Sequence, residues 1–176
     1  CPAISASGLS YPVETVYGKS VHAHEVSRSV AAAAVKMAKE ESGNILVFLP
    51  GTGEIRAVYN FLKKAHLPDD VDVRPLYSGI DKAGRDAAIR PPASGRRKIV
   101  LATSVAETSL TIKGVRVVID SGLSRLPRMR PASGLTMLET VRVSKASADQ
   151  RRGRAGRRRL RPTGRTATVA RGSPAR

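Results

Sequence analysis

A chain of 176 residues and 18.7 kDa fits one domain with at most a tail, and its 41% hydrophobic content suffices for a packed core. Aromatic residues are only 3% and Trp is absent, which argues against aromatic platforms that stack several bases. No apolar run approaches the ~20 residues of a membrane-spanning helix, and one Cys with three scattered His excludes a disulfide scaffold and a zinc module. Lys plus Arg number 31 against 14 acids, a net charge of +17, and residues 151–176 hold ten Arg and no acid. Such a balance points to polyanions: nucleic acid, nucleotide phosphates or anionic lipid. The start, Cys1-Pro2-Ala3-Ile4, lacks a Met and the features of a signal peptide, so the chain reads as processed or cut, with cytoplasmic residence expected.

In chain order, residues up to about 20 read as an extended linker, with strand-like alternation over Val13–Tyr17. Residues 21–41 carry Val26, Val30, Ala33, Ala34 and Met37 at helical spacing, and Gly43 supplies a stop. Ile45–Leu49 is a continuous apolar run ended by Pro50-Gly51, which suits a strand buried on both faces of a parallel sheet. A helix over 53–65, a strand over 71–76, a short helix over 81–90 and buried strands over 98–102 and 115–119 follow. Strands alternating with helices predict an α/β fold around a mostly parallel sheet. Thr136–Val143 with the Ser133-Gly134 turn predicts an antiparallel hairpin across 126–143. The Arg-rich end from 157 reads as a mobile tail in which 166–169 could form an edge strand.

Several lookalikes carry little. Gly18-Lys19-Ser20 lacks the first glycine of a phosphate loop and follows no buried strand. Gly51-Thr52-Gly53 opens a helix, but position 56 is Arg where a dinucleotide-binding turn needs a third glycine; a tight strand-to-helix turn is the plain reading. The doublets Glu40-Glu41 and Asp69-Asp70 read as solvated, and His22, His24 and His66 form no chelate.

Two stretches are informative. In Gln150–Arg157, arginines 151, 154 and 157 recur every third residue and so project to related sides of a helix ending near Gly153. Arg presents a permanent planar cation that binds phosphate oxygens in two places; a solvated basic arm is the alternative. Thr103–Ile112 sets five hydroxyl side chains after a buried strand, where open α/β sheets place ligands, although an ordinary polar loop would look similar.

Together with Phe48-Leu49-Pro50-Gly51, Glu54-Ile55 and Val118–Gly122, these stretches occur in an order and spacing similar to DEAH/RHA-type helicases. Over about residues 8–157 the chain resembles their second RecA-like domain, marked by Ala106-Glu107-Thr108-Ser109. The resemblance implies a RecA-like α/β domain with a projecting β-hairpin, divided as linker 1–20, domain 21–157 and tail 158–176. Gln150 would position the attacking water, and Arg154 and Arg157 would be arginine fingers. Ser109, Thr111 and Gly153 would face the nucleotide, while Thr103 and Ser104 would hold the RNA backbone. The hairpin would lie near the point of strand separation.

ATP with Mg²⁺ is the implied cofactor, with the Mg²⁺ ligands on a first RecA-like domain preceding Cys1; that domain and RNA are the implied partners, and no membrane is. This chain alone would then be half of an active site and inactive. Ser104 stands where the family usually has Asn, Lys113 where an acid commonly meets the nucleotide sugar, and the sequence after Arg157 departs from the usual closing strand. A non-catalytic basic RNA-binding module is the competing reading from composition, and a chain that never folds stably is a third.

Overall fold

The computed structural model describes residues 13–18, 22–108, 110–129, 134–155 and 164–168. Strand β1 (Val13–Tyr17) precedes α1 (Val26–Glu40), β2 (Asn44–Phe48), α2 (Thr52–Lys64), β3 (Val71–Leu76) and α3 (Lys82–Ile89). Then come β4 (Arg97–Ala102), the single turn α4 (Val105–Thr108), β5 (Val115–Asp120), β6 (Leu123–Met129), β7 (Thr136–Arg142), α5 (Lys145–Arg152) and β8 (Gly164–Thr168). Six strands form one sheet in the order β1-β8-β5-β2-β4-β3, every neighbouring pair parallel, and β6 and β7 form a separate antiparallel pair.

The two faces of the sheet explain the continuous apolar runs. Alternate side chains point to opposite faces of a strand, and here both faces are covered by helices. Ile45, Val47, Ile99, Leu101, Val117 and Ile119 face one side and pack with Val26, Val30 and Ala34 of α1 and Ile55, Val58 and Leu62 of α2. Leu46, Phe48, Val100, Ala102 and Val118 face the other, against Ala88 of α3, Ala106 of α4 and Ala155 after α5. The expected mostly parallel α/β architecture is therefore present.

Two expectations differ in detail. The strand at 164–168 is not at an edge, because β8 pairs with β1 on one side and β5 on the other. Residues 13–17 and 164–168, which read as linker and tail, thus both contribute strands to the sheet. The hairpin begins at Leu123 rather than 126, directly after Gly122, whose φ of 71° gives the sharp exit from β5 that a side chain would resist.

One buried cation shapes this core. Lys98 on β4 is 3% exposed, and its ammonium donates to the carbonyls of Ala88 and Arg90 at the C-terminal end of α3. Burial, and then repulsion from Arg74, pull its pKa down to about 8. In the unfolded chain a lysine titrates near ~10.4. Between these values the unfolded state binds more protons than the folded one, so stability rises with pH; below about 8 the charging penalty is fully present. Relative to Lys98→Met, the wild-type chain should therefore gain stability as pH is raised from 7.5 to 9.5. Denaturant melts of both at each pH measure the gap; a constant gap would refute the assignment.

Candidate functional site

Helix α5 starts at Ser144, whose hydroxyl accepts the Ser147 amide at 3.1 Å, and ends at Gly153. Its polar sequence buries one residue deeply. Arg151 is 1% exposed. Its Nε donates to Glu107 Oε2 at 3.1 Å and its Nη1 to Asp120 Oδ1 at 2.8 Å. The guanidinium also lies 4.9 Å from the centroid of the Phe48 ring. Arg151 therefore joins α5 to α4, to the end of β5 and to the end of β2 at one point. Asp120 in turn accepts the Gly122 amide at 2.9 Å, which fixes the exit into the hairpin.

Glu107 is the second node. Its carboxylate accepts Arg151 and, at 2.6 Å, the Ser147 hydroxyl. Its main-chain carbonyl accepts Arg154, and the same guanidinium donates to the Leu110 carbonyl at 2.8 Å. Arginines 151 and 154 project to related sides, as their spacing suggests, and both meet Glu107. Both turn inward, and each is held at its own place on the 105–110 segment. Gly153 ends the helix between them.

The other expected residues separate into two regions. Thr103, half-buried, and Ser104, exposed, follow the end of β4 and begin the α4 turn; their carbonyls accept the Ala106 and Glu107 amides at 3.2 and 2.9 Å. Thr111 and Arg154 instead line an open cavity of about 650 Å³ at the starts of β2, β4 and β5. Arg96, Arg97, Lys113 and Asp70 share that lining, a cationic surface suited to an anionic ligand. Gln150 and Gly153 are exposed on α5 and outside the cavity lining. Ser109 and Arg157 lie outside the described residues. Among the described residues no group of three His, Cys, Asp or Glu is arranged to hold a metal ion.

The sequence reading gave no role to Glu107 or Asp120, and counted Arg151 among the phosphate-binding arginines rather than as their buried partner. A signal existed: Asp120 follows the apolar run Val117-Val118-Ile119, and a carboxylate so placed calls for a cation or hydrogen-bond donors.

The helicase conserved C-terminal domain profile matches residues 28–159. The chain belongs to that family. ATP-dependent RNA helicase HrpB of Escherichia coli is 45% identical over 156 residues, covering 89% of this chain and 19% of the relative. HrpA of the same organism is 38% identical over 161 residues, and the pre-mRNA-splicing factor ATP-dependent RNA helicase prp22 of Schizosaccharomyces pombe 36% over 162, each across 89% of this chain. The crystal structure of the E. coli DExH-box NTPase HrpB superposes with a TM-score of 0.83 at 44% identity, covering 93% of this chain and 20% of that one. The DEAH/RHA resemblance read from the motifs is thus shown, and the chain spans about a fifth of the length of HrpB.

Breaking a buried ion pair from one side strands the remaining charges. Arg151→Met leaves Glu107 and Asp120 without their shared cation and should cost at least about 3 kcal/mol of unfolding free energy. Chemical denaturation of the two chains reads this directly; a loss under about 1 kcal/mol, the range of surface pairs, would contradict the geometry.

Proposed function

We propose that this chain is the second motor domain of an ATP-dependent RNA helicase, gripping the RNA backbone at one end of its sheet and contributing to nucleotide hydrolysis at the other. The observation that carries the reading is the placement of Arg154. It lies with Thr111 in the wall of the cationic cavity, and its guanidinium is bonded to Glu107 and Leu110, on the segment that begins at Thr103 and Ser104. The relatives' names supply the activity, ATP-dependent RNA helicase.

ATP with Mg²⁺, when bound, supplies a transferable γ-phosphoryl group whose charge must be stabilised as it leaves. The Mg²⁺ ligands belong to the first RecA-like domain of the same polypeptide. Thr111 and Arg154, in the cavity lining, support assigning the remaining tasks to this chain. Arg154 offers a desolvated guanidinium at the cavity wall, and a phosphate oxygen is a stronger acceptor than the carbonyls that hold it. Arg157 is the second finger and Gln150, exposed on α5, orients the attacking water. Ser109, Thr111 and Gly153 face the nucleotide. Thr103 and Ser104 offer hydroxyls and backbone groups at the end of β4, where contacts to phosphate and sugar carry no base information. RNA binding is therefore sequence-tolerant and weakens with salt.

The hairpin β6–β7 extends from the body with Leu126, Met129, Met137 and Leu138 at least half exposed, a shape suited to work at the point of strand separation. The cytoplasm is the expected compartment. Among the described residues no helix is long and apolar enough to cross a membrane.

A basic RNA-binding module without catalysis would keep the charge and the fold but give Arg154 no special part. The decisive measurement is RNA-stimulated ATP hydrolysis by the complete helicase polypeptide. Arg154→Ala should lower turnover by roughly 10³-fold or more, while RNA affinity stays within a few-fold. RNA binding with no turnover in the wild type would favour the binding module instead.

A further inference from the structure

The end of α3 has an unusual shortage of donors. In a continuing helix the amides of residues 91 and 92 would satisfy the carbonyls of Ala87 and Ala88. Both residues are Pro and have no N–H. The Lys98 ammonium, arriving from the neighbouring strand, takes the place of those amides. It donates to Ala88, to Arg90 at 2.5 Å and more weakly to Ala87 at 3.5 Å. A cation is also the favoured charge at a helix C-terminus.

The prolines so anchored form part of the cavity described above, with Gly95, Arg96 and Arg97 completing that wall. The opposite wall, Leu110–Val115, is held by a second buried polar residue. Asn44, 4% exposed, donates its amide to the Lys113 carbonyl at 2.7 Å. Its side-chain oxygen accepts the backbone N–H of Lys98 at 2.9 Å. One continuous set of hydrogen bonds therefore runs from the Ala88–Arg90 carbonyls through Lys98 and Asn44 to Lys113. It passes through Asn44, which lies in the cavity lining on β2 between β4 and β5, and ties both segments to the sheet.

We propose that Lys98, braced through Asn44, is a positioning residue that sets the spacing of the two cavity walls and thereby the nucleotide affinity of the assembled helicase. The proposal rests on the reading of the cavity as the nucleotide-facing wall. Neither residue lines up with the fingers or the RNA-gripping hydroxyls, and Lys98 is not itself in the cavity lining. The brace acts on binding rather than on the chemical step. Its loss removes interactions shared equally by ground and transition states.

The test uses the complete helicase polypeptide. Lys98→Met should raise KM for ATP about tenfold while kcat under saturating RNA changes less than about twofold, the signature of lost uniform binding. Asn44→Ser, which breaks the tie to Lys113 while leaving the ammonium in place, should raise KM in the same sense. Hydrogen exchange adds a readout that needs no turnover: amides in 93–96 and 113–115 should exchange faster in Lys98→Met than in wild type.

A folded Lys98→Met protein with unchanged KM, or a kcat that falls with KM constant, overturns the proposal. Should Lys98→Met fail to fold, the KM of Asn44→Ser decides in the same two directions. A wild-type protein with no ATP turnover would refute the helicase reading, and unchanged exchange at both walls would then separately refute the brace.

Discussion

A single buried guanidinium holds this domain's working parts together. Arg151 is a cation with almost no exposure, and such a charge is tolerated only when paired and hydrogen-bonded. Its partners are Glu107 on the α4 turn and Asp120 at the end of β5, with the Phe48 face from β2 beneath it. Two central strands, the connecting turn after a third and the helix that carries the arginines thus meet at one group. Hydrophobic packing would tolerate sliding between these elements. A charge shared between two carboxylates at 2.8 and 3.1 Å defines their positions much more narrowly.

From this constraint follows the placement of the residues on either side. α4 is only one turn long, so its ends cannot move independently of Glu107. Thr103 and Ser104 precede the turn, and Leu110 and Thr111 follow it. Arg154 lies one turn of chain beyond Arg151 and is clamped on the Glu107 and Leu110 carbonyls. The region at the C-terminal end of β4 and the cavity at the strand starts are thereby connected by a short segment held at Glu107 and Leu110.

Much of the architecture was legible because its cause is local. β2, β4 and β5 are apolar runs buried on both faces, and α2 combines a regular apolar stripe with a glycine-bounded start. β8 was harder. Gly164-Arg165-Thr166-Ala167-Thr168 has no apolar run, and its interior place comes from pairing with β1 and β5 rather than from its own composition. The arginines were harder still. In Gln-Arg-Arg-Gly-Arg the sequence offers several chemically identical candidates, and only the positions of Glu107, Asp120 and Leu110 distinguish the buried Arg151 and Arg154 from exposed Arg152. Lys98 was hidden for a related reason: a lysine opening a strand normally snorkels to solvent, and the missing donors that retain it belong to prolines several residues away.

The same bookkeeping of charge explains why so basic a protein can still present an organised cationic face. Nine of its fourteen acids are engaged in ion pairs among the described residues, including Asp70 with Arg97, Asp72 with Arg96, and Glu54 with Arg125. In Asp70 and Asp72 the hydrogen bonds from these arginines hold the carboxyls below their ordinary pKa. The acids therefore orient particular arginines, at the cavity rim and at the hairpin base, instead of cancelling the field. Basic side chains exceed acidic ones by 17, so the chain keeps a large net positive charge even where its acids are paired. A polyanion that binds a surface of such net charge releases condensed counterions and gains their entropy. Fold and composition thus act at different ranges: the buried arginines fix geometry over a few ångströms, while the net positive charge sets a field that extends over a Debye length.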